Sequence, residues 1–134
     1  MQSWMAYLWV ASGGAIGSVG RYWLSNLIEA RTTHGFPWGT LVVNVTGSFA
    51  IGLLATFAGS VGWLGSPGFR LFFMAGVCGG YTTFSSFSLQ TLDLLRRGEW
   101  LSAGGNVLLS LLLCLIGVWL GYLLGLALNP TKIN

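Results

Sequence analysis

Gly76-Val77-Cys78-Gly79-Gly80-Tyr81-Thr82-Thr83-Phe84-Ser85-Ser86-Phe87-Ser88 lies inside an apolar segment and is built to interrupt a helix there. Gly79 and Gly80 are adjacent, and each disfavours helix by about 1 kcal/mol relative to alanine. Thr82 and Thr83 are stiff at χ1, and their hydroxyls compete for backbone groups. Phe84 and Phe87 share one face of the helix that resumes, and Ser85 and Ser88 form a parallel hydroxyl row. Non-helical backbone at membrane depth is tolerated only where protein buries it or where it lines a cavity. The stretch therefore reads as an ion or substrate site, and the rest of the chain is read outward from it.

The surroundings are those of a membrane. Of 134 residues, 54% are hydrophobic and only 7% are charged. A soluble domain carries about 25% charged residues, so this chain has too little polar material to cover a soluble surface. The net charge of +3 arises from six basic and three acidic residues. These are too sparse for a nucleic-acid footprint, which needs clustered Lys and Arg. Cys78 and Cys114 both fall in apolar segments and read as small buried hydrophobes, with no metal or disulfide spacing. No cleavable signal peptide is expected, because no basic residue precedes the first apolar run.

A spanning helix needs about 20 mostly apolar residues. The pattern predicts an all-α integral membrane domain of four transmembrane helices: approximately 3–28, 38–61, 68–96 with a break at 79–83, and 100–128. The first span is glycine-rich, and Gly13 with Gly17 makes a GxxxG pair suited to close helix approach. Arg21 follows near the end of that span; steering an anion and snorkelling to the interface both fit it. His34 sits in the polar loop ending at Pro37 and reads as a solvated loop residue. In the second span Thr40, Asn44 and Ser48 recur every fourth residue and line one face. Asn44 facing lipid is costly, so it must meet protein, a partner or water. An interhelical hydrogen bond and a polar path are both open to it. The fourth span repeats the device with Asn106, Ser110 and Cys114, and carries a Gly117, Gly121, Gly125 ridge.

Four spans place the N-terminus, the second loop and the C-terminus on one side, with Arg70 and Lys132. The other side holds Arg31, Arg96 and Arg97, with Arg21 as a further flanking charge. Lys/Arg bias sets orientation, and here it is slight. An antiparallel, dual-topology homodimer is therefore expected, with the glycine ridges as its contacts. His34, Glu29, Asp93 and Glu99 lie at loops or segment ends, so no catalytic constellation forms and an enzyme is not expected. The interior instead offers hydroxyls (Thr40, Ser85, Ser88, Ser110) and amides (Asn44, Gln90). Cations want carboxylate rings or many carbonyls. Phenyl edges are electropositive, so meeting a small anion and the more usual core packing are both open to Phe84 and Phe87. Unwinding also frees carbonyls, which can coordinate Na⁺.

On these residues the chain resembles the Fluc/CrcB family of fluoride channels. The resemblance rests on Gly13-Gly14-Ala15-Ile16-Gly17 with Arg21-Tyr22, on Gly39-Thr40-Leu41-Val42-Val43-Asn44 with Gly47 and Gly52, and on Gly79 through Ser88. It implies a bacterial inner-membrane protein that exports cytoplasmic fluoride passively. It implies two antiparallel pores per homodimer and a central structural Na⁺. Phe84 and Phe87 match the pore phenylalanines, Asn44 the pore asparagine, and Arg21 the vestibule arginine. Thr40 and Ser110 match hydroxyls along the path, and the carbonyls of Gly79 and Thr82 match the Na⁺ ligands. Gln90 stands where several relatives have Glu, which removes a titratable group. The rival reading is a small dual-topology, proton-coupled exporter of cationic drugs. It would want a central membrane carboxylate; Glu29 sits only at a helix end. A third reading, an accessory protein that binds other helices, leaves the Asn44 stripe and the Thr-Phe-Ser run without a role.

Overall fold

A computed structural model describes residues 3–32, 35–58, 60 and 62–129. His34, Lys132 and the expected boundary at Val61 lie outside them. Helix α1 spans Ser3–Glu29 and α2 spans Trp38–Ala55. The helical segment 67–81, α3, is composite: a first turn Pro67–Phe69, a wide π-helical stretch Arg70–Cys78 and a last turn Gly79–Tyr81. Helix α4 is Phe84–Arg96 and α5 is Trp100–Leu128. Helices α2 and α5 are each long and apolar enough to cross a membrane.

Local chemistry accounts for the ends. Ser66 caps α3 by accepting from the Phe69 N–H at 3.1 Å, with Pro67 in the first turn where its missing donor costs nothing. Gly98, at φ 77°, ends α4: its N–H donates to the Leu95 carbonyl, and the Glu99 N–H reaches back to Leu94. Helix α2 stops at Ala55, short of the expected 38–61 span. Beyond it Thr56, Phe57 and Ala58 donate to carbonyls three residues back, tightening the chain into turns. Asn129 then ties the end of α5 to that turn, donating to the Thr56 carbonyl at 3.0 Å and Ser60 Oγ at 2.9 Å. At the opposite end Arg97 donates to the Gly35 carbonyl. The loops therefore pair end to end as alternating antiparallel segments require.

The glycines are used inside one chain, which corrects the expectation that they form the dimer contact. A Cβ at Gly13 or Gly17 would strike the α3 backbone at Phe72 and Val77. One at Gly117 or Gly121 would strike the α2 backbone at Val45 and Phe49, and one at Gly125 would meet Thr56. Lipid provides no hydrophobic drive between helices, so close backbone packing has to hold them. Gly17→Ala should therefore lower thermal stability in detergent by about 1–3 kcal/mol, the usual cost of overpacking. Gly104→Ala is the control. Nothing lies within 4 Å of a Cβ there, so the helix propensity of alanine leaves stability equal or raised.

The glycine seams leave the large apolar side chains outside. Leu101 is 92% exposed, and Leu108, Leu111, Leu112, Leu115, Ile116 and Trp119 are exposed with it along α5. Among the described residues the largest fully buried side chains are Val43, Leu94, Thr56 and Asn106, two apolar and two polar. An apolar exterior around a small, partly polar interior is the pattern of a chain solvated by hydrocarbon.

Candidate functional site

The site is built on two extended residues. Thr82 (φ −81°, ψ 156°) and Thr83 (φ −151°, ψ 113°) leave helical geometry, and α4 begins at Phe84. Gly79 is still helical, at φ −65° and ψ −37°. The non-helical part is thus narrower than the expected 79–83. Gly79 and Gly80 belong to the last turn of α3, and Gly80 is needed for packing: a Cβ there would lie 2.5 Å from the Gly14 carbonyl oxygen of α1.

Side chains take up the backbone groups that the extended pair releases. Asn44 of α2 reads Thr83 like a neighbouring strand: its Nδ2 donates to the Thr83 carbonyl at 3.0 Å, and its Oδ1 accepts from the Thr83 N–H at 2.7 Å. Thr83 Oγ1 caps α4 by accepting from the Ser86 N–H at 3.1 Å, and donates to Ser86 Oγ at 3.0 Å. Thr82 doubles back on the Cys78 carbonyl through its N–H and its Oγ1.

The carbonyls of residues 79–82 lose their helical donors at this break, those of Gly79 and Thr82 among them. In a continuous helix the Thr83 N–H would serve the Gly79 carbonyl and the Ser86 N–H the Thr82 carbonyl. Asn44 and Thr83 Oγ1 have taken those donors. Uncharged carbonyl oxygens released in this way suit a hard monovalent cation. The carbonyls of Gly79 and Thr82, the pair to which the family resemblance points, are oxygens of this kind. Among the described residues no cluster of His, Cys, Asp and Glu forms a rival metal site.

Around this point the sequence-predicted residues fall into two cavities. A cleft of about 570 Å³ at the helix break, open on one side and hereafter the central cavity, is lined by Asn44, Ser48, Gly79, Thr82, Thr83, Phe84, Phe87, Ser110 and Cys114, with apolar residues between them. The Phe84 and Phe87 rings stand 5.3 Å apart at 42°, a tilted pair, and Phe84 is 78% exposed on the single chain. No carboxylate is among the lining residues. A side cavity of about 250 Å³ is lined by Arg21, Ser25, Glu29, Thr40, Thr83, Ser86 and Gln90, among others. Arg21 Nε and Gln90 Oε1 are buried there without a partner among the described residues. Thr83 is the wall common to both cavities. Gln90 and Glu29 also line a third cavity, of about 230 Å³, at the loop end with Asp93 and Arg97.

The structure therefore brings Phe84, Phe87, Asn44 and Ser110 together, and separately Arg21, Thr40 and Gln90. Ser85 and Ser88 line neither cavity. Ser85 Oγ pairs with Thr83 Oγ1 at 3.2 Å, and Ser88 Oγ donates to the Phe84 carbonyl at 2.9 Å. Thr83 and Ser86, which the sequence reading did not single out as site residues, are central. A threonine just ahead of an amphipathic run is a helix-start signal, and that signal marks Thr83.

Comparison with known proteins follows the same lines. The family model for CrcB-like protein, Camphor Resistance (CrcB), matches residues 8–122. A protein of Rhodospirillum rubrum named fluoride-specific ion channel FluC is 58% identical over 126 residues, covering 93% of this chain and 98% of its own. One of the same name from Opitutus terrae is 58% identical over 128 residues, covering 94% and 96%. Another from Methylocella silvestris is 48% identical over 129 residues, covering 96% and 98%.

Proposed function

The chain belongs to the CrcB-like family, and from that premise we propose that it is a fluoride channel, a passive route that lowers fluoride in the cytoplasm of a bacterium. The observation that carries this reading is the central cavity: a phenylalanine pair, an amide and a hydroxyl around extended backbone, with no lining carboxylate. Fluoride is small and strongly hydrated, so moving it demands replacement donors. Ring edges, the Asn44 amide and the Ser110 hydroxyl are donors of that kind. A cation exporter coupled to protons would need a carboxylate in their place.

In this reading Arg21 raises the local anion concentration in the side cavity, and Thr40, Thr83, Ser86 and Gln90 carry polar groups from there to the central cavity. Fluoride enters acidified cells as neutral HF and is trapped as the anion. A negative-inside potential, worth about 2.3 kcal/mol per charge per 100 mV, drives it out again. Two copies assemble antiparallel in the bacterial plasma membrane, consistent with the slight Lys/Arg bias. The pairing covers the exposed face of α4 that carries Leu89 and Leu92. The freed carbonyls of Gly79 and Thr82 would hold Na⁺, which would supply fixed positive charge.

The test is fluoride efflux from liposomes holding the purified protein, with a potassium ionophore clamping voltage and chloride as the control anion. Rapid fluoride loss with chloride retained is the expected result. A folded, assembled protein that passes no fluoride would overturn the reading in favour of proton-coupled drug transport.

A further inference from the structure

Helix α4 carries the phenylalanines yet is held to its own chain by little, Leu94 being its one buried residue. A polar chain also ties it to α5, through Asn106 and Thr91, two residues that the pore reading does not use. Asn106 of α5 is 1% exposed. Its Nδ2 donates to Thr91 Oγ1 at 2.9 Å, and Thr91 Oγ1 donates in turn to the Phe87 carbonyl at 2.8 Å. On its other side Asn106 Oδ1 accepts from Ser110 Oγ at 3.4 Å. Amide and backbone oxygens only accept, so every proton in this chain has a fixed direction.

We propose that Asn106 is a positioning residue of the pore, a buried amide that sets the Phe87 backbone and the Ser110 hydroxyl at once. The inference rests on the fluoride-channel reading. Phe87 and Ser110 line the central cavity from different helices, and Asn106 joins them across the α4–α5 seam. The chain also orients Ser110: its proton points to Asn106, so its lone pairs face the cavity. For Ser110 to serve an anion its proton has to leave Asn106. That contact is the longest of the three and the first to open. Asn106 thereby determines both where the ring stands and when the hydroxyl becomes a donor.

The experiment compares wild type with Thr91→Val, Thr91→Ser, Asn106→Leu, and Thr91→Val combined with Ser110→Ala, in fluoride and chloride efflux at several fluoride concentrations. Thr91→Val has nearly the same shape but cuts the link to Phe87. It should lower the fluoride rate about tenfold, as a small misplacement of a working group does. Thr91→Ser keeps the hydroxyl and should restore the rate. Thr91→Val and Ser110→Ala should be non-additive in the fluoride dependence, because both act through Asn106. A purely structural clasp would change the melting temperature and leave that coupling at zero. Asn106→Leu should abolish the effect of Thr91→Val; if it does not assemble, the Thr91 pair decides alone. Wild type conducting while Thr91→Val matches it, or losses that simply multiply, would overturn the inference and leave the channel intact. Wild type passing no fluoride would defeat the channel reading and this inference with it.

Discussion

Asn44→Leu is expected to abolish fluoride efflux and to destabilise the protein at the same time. Leucine has about the same shape but can neither accept from the Thr83 N–H nor donate to its carbonyl, the two bonds that Asn44 makes at 2.7 and 3.0 Å. The Thr83 carbonyl is then left without its donor, at a cost of up to about 1–3 kcal/mol for a fully buried group and less at this part-buried one, still a sizeable share of any domain's margin. The released Thr83 N–H would find the Gly79 carbonyl again and pull the extended pair back towards helix, carrying Phe84 with it. Asn44→Asp separates the two effects. A carboxylate still accepts from the Thr83 N–H, so part of the clamp survives. It also faces the Thr83 carbonyl with negative charge and puts a charge that repels anions into the cavity wall. A melt nearer wild type with flux still lost is expected for Asp, and a low melt with flux lost for Leu. Thermal unfolding in detergent alongside liposome efflux reads both. Full flux in Asn44→Leu would remove the clamp from any account of conduction.

That clamp shows what sequence carries and what it leaves out. The run from Gly79 to Phe84 marks a helix interruption by composition alone, and a periodic stripe marks Asn44 as inward-facing. Both are local properties. That the two belong together is a tertiary fact, since Asn44 and Thr83 are distant in the chain and meet only because α2 and α3 cross there. The same limit applies to the hydroxyls. Ser85 and Ser88 share a helix face with each other, yet which serine meets the side cavity depends on how the extended Thr82–Thr83 pair rotates α4. That rotation selects Ser86 and Gln90. Glycine ridges announce close packing but do not name the partner, so Gly117 and Gly121 fit a dimer contact as well as the intrachain α2 seam they make. Past Ala55 the sequence still carries Phe57, Ala58 and Val61 among Thr56 and Ser60, and the turns at 56–58 with the Asn129 tie end α2 earlier than the expected span. The wide turns at Arg70–Cys78 leave no mark in hydrophobic period.

Replacing both phenylalanines, Phe84→Ile with Phe87→Ile, is expected to lower fluoride efflux by at least about a hundredfold while the melting temperature moves little. Truncating a buried phenylalanine costs about 3–5 kcal/mol, but Phe84 is 78% exposed on its own chain and Phe87 is only half-buried. Isoleucine also keeps most of the apolar area, so the loss within one chain should stay under about 1.5 kcal/mol. Conduction stands on a different property. The rings are a tilted pair 5.3 Å apart, and both line the central cavity. A ring carries a quadrupole with a positive edge, and an aliphatic side chain of similar bulk carries none. Removing that stabilisation from a dehydrated anion need cost only about 2.7 kcal/mol to slow transit a hundredfold. The single variants should each fall between wild type and the double. A double variant that melts normally and still passes fluoride at the wild-type rate would mean that the rings only fill space, and the selective donors would then have to lie with Asn44 and the hydroxyls of the side cavity.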